Sequence, residues 1–483
     1  MKKLFLLFLI PFLWVSCPSE NNKSTEDAVG LRLDRTDLTL VIGKKEKLTA
    51  TVTGAIGTNR AVTWSSSDEN TATVKGGTVT AVAPGEAVIT VTSWADFNKT
   101  AACTVTVTKR PVTVLGNKKV VSEKTAAEYF KDNHVFIGWN LGNAFDSNGG
   151  YGNWTRKIDK DFLPKVKAAG FSMVRIPVTW NVSSRPIGPA PDYKINATTM
   201  SELVQVVDWA YDSDLVTIIN IHHDDNPNLS GWMSMAKLLV DADRPQLYAK
   251  FEKLWEQIAA QFKDYGEWLI FEPFNEIHDG NWGNGVSDEK QFEIINELNK
   301  RFTDKVRASG GNNAQRFLVV QPLCAKPHQA MADTFIIPKD TATGKQIVSM
   351  HFYEPEAFAL GNDSPMWGSQ SDKYAISSKF ASFAEKFTKK GIPLIFGESG
   401  ASYQNRSNAA DRATAAANRI AYMEFMCTEA KKNGIIPIYW DNGTTSASSV
   451  GENFGLWDRR TSGTLDLLPG MQIVIDTMVT AVQ

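Results

Sequence analysis

Cysteine is scarce in this chain: four residues in 483, at positions 17, 103, 324 and 427, cannot build a disulfide framework. If the chain is exported, its stability has to come from packed cores. No apolar run beyond the N-terminus is long enough to cross a bilayer as a helix. A basic run is also missing, and the formal net charge is only −2, which argues against nucleic acid as a partner. Low-complexity tracts and sequence repeats are absent beyond a recurring strand–helix period. What remains is ordinary globular composition, 43% hydrophobic and 22% charged, over a length that predicts two domains plus flanks. Tryptophan is the exception: 14 are present, and many fall near predicted strand ends, where indole faces can stack on sugars.

The N-terminus, MKKLFLLFLIPFLWVSC, combines a basic start, an apolar stretch too short to span a membrane and a small residue before Cys17. It reads as a secretory signal over residues 1–16. Its end resembles a bacterial lipoprotein signal, which implies lipidation of Cys17, although Trp14 stands where leucine is usual. Residues 17–28 are polar, rich in Ser, Asn and Glu, and read as a flexible tether. The expectation is an exported monomer, held by a lipid at the outer membrane or cell surface.

From 29 to 108 the pattern changes to short alternating runs rich in Thr and Val, with turn signals every eight to twelve residues or so. That is the pattern of a β-sandwich. VTWSSSDENTATV, the following Gly76-Gly77 and TAVAPGEAVITV resemble the bacterial immunoglobulin-like group 2 domain. The resemblance implies a spacer or surface module without catalytic residues. No cluster of exposed aromatics is expected on it, and Trp64 is expected in its core. Residues 109–122, with Pro111 and a Gly116-Asn117 turn, read as a linker.

Eight short apolar runs follow: 138–146, 173–180, 216–225, 268–276, 316–322, 347–355, 392–400 and 435–443. Each is apolar first and polar or aromatic last, and helix-like sequence follows most of them. Short strands alternating with helices predict parallel β/α units, and eight in succession predict a closed barrel over 123–483. Helices are expected near 123–131, 161–169, 200–212, 245–263, 288–308, 378–390 and 411–433, with Gly170, Gly391 and Gly434 as C-caps. The fold class is therefore α/β, a (β/α)8 barrel preceded by a small all-β immunoglobulin-like sandwich.

Active sites of such barrels lie at the C-terminal strand ends, where the polar residues fall. The fourth run closes on Asn275-Glu276, and the seventh carries Glu398 just past its apolar stretch. Two carboxyls converging from different strands suit acid/base or nucleophilic work on a glycosidic bond. Their pKa values are expected to be pushed in opposite directions.

Together, the strand ends resemble glycoside hydrolase family 5, in its endo-β-1,4-glucanase and xyloglucanase-like branch, over about 122–483. The resemblance implies Glu276 as acid/base, Glu398 as nucleophile and Asn275 as partner of the sugar 2-hydroxyl. It places Arg175 of MVRIPVTW beside the nucleophile, keeping it ionised. It likewise implies substrate-site roles for His222 of INIHH, His351 and Tyr353 of MHFYEP, and Trp440 of IYWDNG, with His223 an extra candidate. The sequence departs from the family pattern at Ile277, where proline usually follows the Asn-Glu pair, and at Pro273. Trp232, Trp282 and Trp367 are expected to line subsites.

The implied activity is retaining, endo-acting cleavage of a β-1,4-glucan backbone, xyloglucan or another β-glucan, with no cofactor. A β-mannanase on the same barrel and a catalytically silent surface glycan-binding protein are the alternatives. A metal-dependent hydrolase is the weaker rival: the first run offers no His-x-His pair, and His278 lies beyond its strand. A calcium site in an Asp/Asn-rich loop stays open.

Overall fold

The computed structural model describes residues 28–109, 111–226, 231–280, 289–361, 364–445 and 453–483. The signal segment, Cys17, nearly all of the tether and Trp282 lie outside the described residues. The chain separates into two compact units, with the boundary between 110 and 111.

The first unit is all β. A four-stranded sheet runs Asp37–Val41, Thr100–Thr108, Gly85–Ser93, Val62–Ser66, and a three-stranded sheet runs Lys45–Lys47, Thr78–Ala81, Ala72–Lys75. Gly30–Leu33 pairs separately with Ala50–Thr53. Burial alternates along Gly85–Ser93 and Thr100–Thr108, so one face of the four-stranded sheet supplies Ile89, Val105 and Val107 to the core. Trp64 packs half-buried against that core. Gly76 and Gly77 form the two-residue turn between Lys75 and Thr78, both at positive φ, as such hairpins require. One expectation needs correcting: Trp94 and Phe97 are both exposed, with ring centroids 6.4 Å apart, at the turn between the two long strands. Turn residues escape the period-two pattern by which burial was read.

The second unit is a closed barrel of eight parallel strands in chain order. These are β1 (Gly138–Asn140), β2 (Met173–Ile176), β3 (Val216–Ile219), β4 (Leu269–Phe271), β5 (Leu318–Val320), β6 (Gln346–Phe352), β7 (Leu394–Ser399) and β8 (Ile435–Tyr439). β8 closes onto β1 through Gly138↔Ile438 and Trp139↔Tyr439. Nearly every strand residue is buried, because barrel side chains fill one face and helices cover the other. Register shifts interrupt the β6–β7 pairing between Met350 and His351, and the β7–β8 pairing between Phe396 and Ser399. Such irregularities re-aim side chains near active sites, and both adjoin candidate residues.

The principal helices after β1 are α1 (Phe162–Ala168), α2 (Ala197–Asp212), α3 (Arg244–Gln261), α4 (Glu289–Ala308), α5 (Pro327–Met331), α6 (Gln370–Lys386), α7 (Ala409–Lys432) and α8 (Met471–Val482); a short helix, Ala126–Asp132, precedes β1, and single turns lie at Met235–Leu238 and Glu356–Ala359. In α4, Ile294, Leu298, Phe302 and Val306 recur at helical spacing and are buried. Each such side chain contributes about 1.5–3 kcal/mol of burial. Starts are set by side-chain caps, as where Asn196 accepts from the backbone of Thr198 and Thr199, and Ser369 with Asp372 forms a capping box. Gly170, Gly391 and Gly434 follow helix ends at positive φ.

The expected linker is also corrected. Residues 111–122 lie along the barrel's own side: the Leu115 amide donates to Asp214, Trp268 Nε1 donates to the Lys118 carbonyl, and Ser122 donates to Glu267. The polar backbone of this stretch finds acceptors and donors on the barrel, so only its first residues can act as a connector. Cys103, Cys324 and Cys427 are free and buried.

Candidate active site

All the candidates picked from the strand ends reach one place. Eight of them line a cavity of about 720 Å³ at the C-terminal ends of the strands, and Arg175 lies beneath it, fully buried. Their positions follow from the runs they end: apolar residues anchor each strand, and the next few residues emerge at the rim. Trp440 comes close because Gly142 has no side chain; a Cβ there would sit 2.8 Å from both the Trp440 ring and the Asp441 carbonyl. The Trp440 and His222 rings are parallel within 10°, with centroids 5.9 Å apart.

Glu398, next to last in β7, has its carboxylate held at both oxygens. Arg175 Nη1 donates to Oε1 at 3.0 Å, and Tyr353 Oη donates to Oε2 at 3.2 Å. Arg175 also donates through Nη2 to Asn275 Oδ1 (2.8 Å) and through Nη1 to Asn140 Oδ1 (3.1 Å). With its oxygen so engaged, Asn275 has its amide NH2 to offer a sugar hydroxyl. Burial works against the Arg175 charge, but the carboxylates of Glu272 and Glu398 hold the guanidinium above its ordinary value.

Glu276 lies across from this carboxylate, and one oxygen of each comes within 4.8 Å of the other and of His351. His351 Nδ1 is 2.5 Å from Glu276 Oε1 and 3.6 Å from Glu398 Oε2. Burial lowers His351 to about 4, with Arg175 contributing, so the imidazole is neutral and can share a proton with Glu276. Burial likewise lowers His222 well below its usual range and His223 to about 4.

The opposite pKa shifts expected for the two carboxyls do not occur. Burial pushes Glu276 up to about 7, against the pull of Lys326 and Arg175. Burial also raises Glu398, and the Glu276 charge adds to this, while His351 opposes it only when protonated and Arg175 opposes it throughout. Both groups are desolvated by the same cavity, so their division of labour comes from partners: Glu398 has the arginine and Glu276 has the histidine.

Four polar residues beneath the cavity went unmarked in the sequence. Asn140, Asn220, Glu272 and Gln321 are all fully buried and hydrogen-bonded into one network around Arg175. Their signal was a polar residue embedded in or just after an otherwise apolar strand. Polar atoms of Asp146, His222 and His223 also lie within 4.8 Å of one another, with His223 Nε2 3.9 Å from Asp146 Oδ2.

The loop tryptophans are redistributed. Trp232 is buried, donates from Nε1 to Asp224 at 2.6 Å and lies under the Lys250 ammonium. Trp367 is buried against Tyr422 and Phe425 of α7. Both are therefore packing residues, contrary to expectation. The indole that lines the cavity while keeping 38% of its surface exposed is Trp154, in the loop between β1 and α1.

Comparison with known proteins places this geometry. The family model described as cellulase (glycosyl hydrolase family 5) matches residues 125–446, and that of the bacterial Ig-like domain (group 2) matches residues 28–105. Endoglucanase B of Clostridium cellulovorans is 35% identical over 333 residues, 67% of this chain and 70% of that protein. A broad specificity endoglucanase from Bacteroides salanitronis superposes with a TM-score of 0.67 at 32% identity, covering 76% of this chain and 97% of the other. A family 5 xyloglucanase from Paenibacillus pabuli gives a TM-score of 0.62 at 31% identity, covering 72% and 99%.

Proposed function

This chain belongs to glycosyl hydrolase family 5 and carries an N-terminal bacterial Ig-like domain, and from that premise we propose that it is a retaining endo-β-1,4-glucanase acting on xyloglucan or a related β-glucan. The observation that carries the mechanism is the approach of the two carboxyls: oxygens of Glu276 and Glu398 come within 4.8 Å. Retaining enzymes hold their pair about 5–5.5 Å apart, whereas inverting ones leave room for a water between carboxyls about 6.5–9.5 Å apart.

In this reading Glu398 attacks the anomeric carbon, and Arg175 and Tyr353 fix its orientation. Glu276, raised to about 7, gives its proton to the departing glycosidic oxygen. A covalent glycosyl-enzyme forms, Glu276 then takes a proton from water, and the water releases the sugar with its configuration kept. Asn275 donates to the 2-hydroxyl, and Trp440 supports the sugar ring from below.

Initial reducing-end release is measured on xyloglucan, mixed-linkage β-glucan, carboxymethyl-cellulose and glucomannan, with Glu398→Ala as blank. Proton NMR of the first products reports the anomer. Preference for a β-glucan with β-anomer formed first supports the reading; an α-anomer formed first, or activity confined to glucomannan, would overturn it.

The N-terminal segment supports export and lipidation at Cys17. Metabolic labelling with a fatty acid analogue is expected to mark the protein, and Cys17→Ala to abolish the label. A labelled Cys17→Ala variant would disprove the anchor.

A further inference from the structure

Glu272 follows β4 by one residue and is fully buried, away from the cavity wall. Arg175 Nε donates to its Oε2 at 2.6 Å, Asn220 Nδ2 donates to the same oxygen at 3.0 Å, and Gln321 Nε2 donates to Oε1 at 2.6 Å. Every neighbour is a donor, as an acceptor-only carboxylate requires. Arg175 is therefore divided between two carboxylates, Nε to Glu272 and Nη1 to Glu398.

Holding a guanidinium in place needs only an acceptor. A neutral amide would do that without the desolvation penalty of a buried charge. A carboxylate adds something an amide cannot: it draws on the arginine's charge and lessens what reaches Glu398. A carboxylate stabilised too strongly by its partner is a weak base and a poor nucleophile.

We infer that Glu272 is a positioning residue that sets the basicity of Glu398 by competing for Arg175. The inference rests on the reading of Glu398 as nucleophile. The other groups facing Glu398 are His222 Nε2 at 4.0 Å, His351 Nδ1 at 3.6 Å, Tyr353 Oη and the carboxyl of Glu276. Burial lowers both imidazoles and Tyr353 is an uncharged donor, so Arg175 is the permanent cation facing Glu398 and the one whose share Glu272 takes.

Glu272→Gln removes the charge and keeps the shape. The site accommodates it because Gln321 Oε1 is buried without a hydrogen bond. Turning the Gln321 amide over lets that oxygen accept from the new amide group.

The test is the pH dependence of labelling by 2,4-dinitrophenyl 2-deoxy-2-fluoro-β-cellobioside, read as the dinitrophenolate burst and located by peptide mapping. In this step a Glu398 oxygen bonds to C1 while the C1–phenolate bond breaks with both electrons on the phenolate. No proton is required, so Glu276 drops out of the profile. In Glu272→Gln the acid limb is expected to move down by about half a pH unit or more, and the plateau rate to fall at least about threefold. Glu272→Asp, the second variant if the first folds poorly, keeps the charge but withdraws it, and a smaller downward move is expected. An unmoved limb would overturn the inference. An upward move would also overturn it, since it would mean that Glu272 only holds Arg175 in place. Absence of label on Glu398 in the unaltered enzyme would remove the nucleophile assignment and this inference with it.

Discussion

Arg175 near the C-terminal ends of the strands and Arg316 just before β5, at their N-terminal ends, are equally buried, yet their surroundings differ in kind. Arg175 meets two carboxylates and two amide oxygens. Arg316 meets the backbone carbonyls of Phe262, Tyr265, Gly266 and Leu269 and the side chain of Asn313. The carboxylates raise the first guanidinium; burial lowers the second to about 9, with Arg307 adding to the fall. One residue type thus serves chemistry at one end of the barrel and ties loops together at the other.

Changing each end separately sharpens that contrast. The largest effects are expected at the upper end: Glu398→Ala, Glu276→Ala and Arg175→Met should each lower kcat by at least about a hundredfold on a polymeric glucan. Near-normal turnover in any of the three, with the fold intact by circular dichroism, would break the assignment. Arg316→Met should leave kcat within about twofold but cost at least about 3 kcal/mol in denaturant unfolding, because several buried carbonyls lose their donors. If activity fell and stability held, the contrast between the two ends would be lost.

Smaller effects are expected at the rim. Trp154→Ala should raise KM severalfold on long chains with little change in Tm, whereas Trp232→Ala should lower Tm. The reverse pattern would make Trp232 the substrate-facing indole and Trp154 the packing one. Smallest is a pH effect on stability. Glu276 has a folded pKa of about 7, above its unfolded value, so its protonated form favours the fold at low pH and that contribution is lost as pH rises through about 7. Glu276→Gln should therefore gain about 1–2 kcal/mol over the unaltered protein between pH 5 and pH 8, a modest figure because the side chain keeps 22% of its surface open. A pH-independent difference would contradict the raised pKa.

The eight strands were legible because each is a short apolar run in which almost every residue is buried, and the residues ending each run fall where a barrel opens. Among the helices not foreseen, α5 and the turns at Met235–Leu238 and Glu356–Ala359 are short, and α8 is so apolar that no polar face marks it. Glu272 and Gln321 were hidden because they look like interruptions in strands, and only three dimensions join them to Arg175. Trp154 was missed because it sits in a loop of glycines and polar residues with no period to read. Trp232 and Trp367 were overrated for the opposite reason: being in a loop after a strand says nothing about whether an indole finds a partner inward, as Trp232 does in Asp224.

The burial of Cys103, Cys324 and Cys427 has a practical side. Without its N-terminal segment, the protein offers labelling reagents no accessible native thiol among the described residues. A single cysteine placed beside Trp154, the exposed indole lining the cavity, would then carry a fluorophore without background from the described residues, turning glucan capture by the cleft into an optical signal.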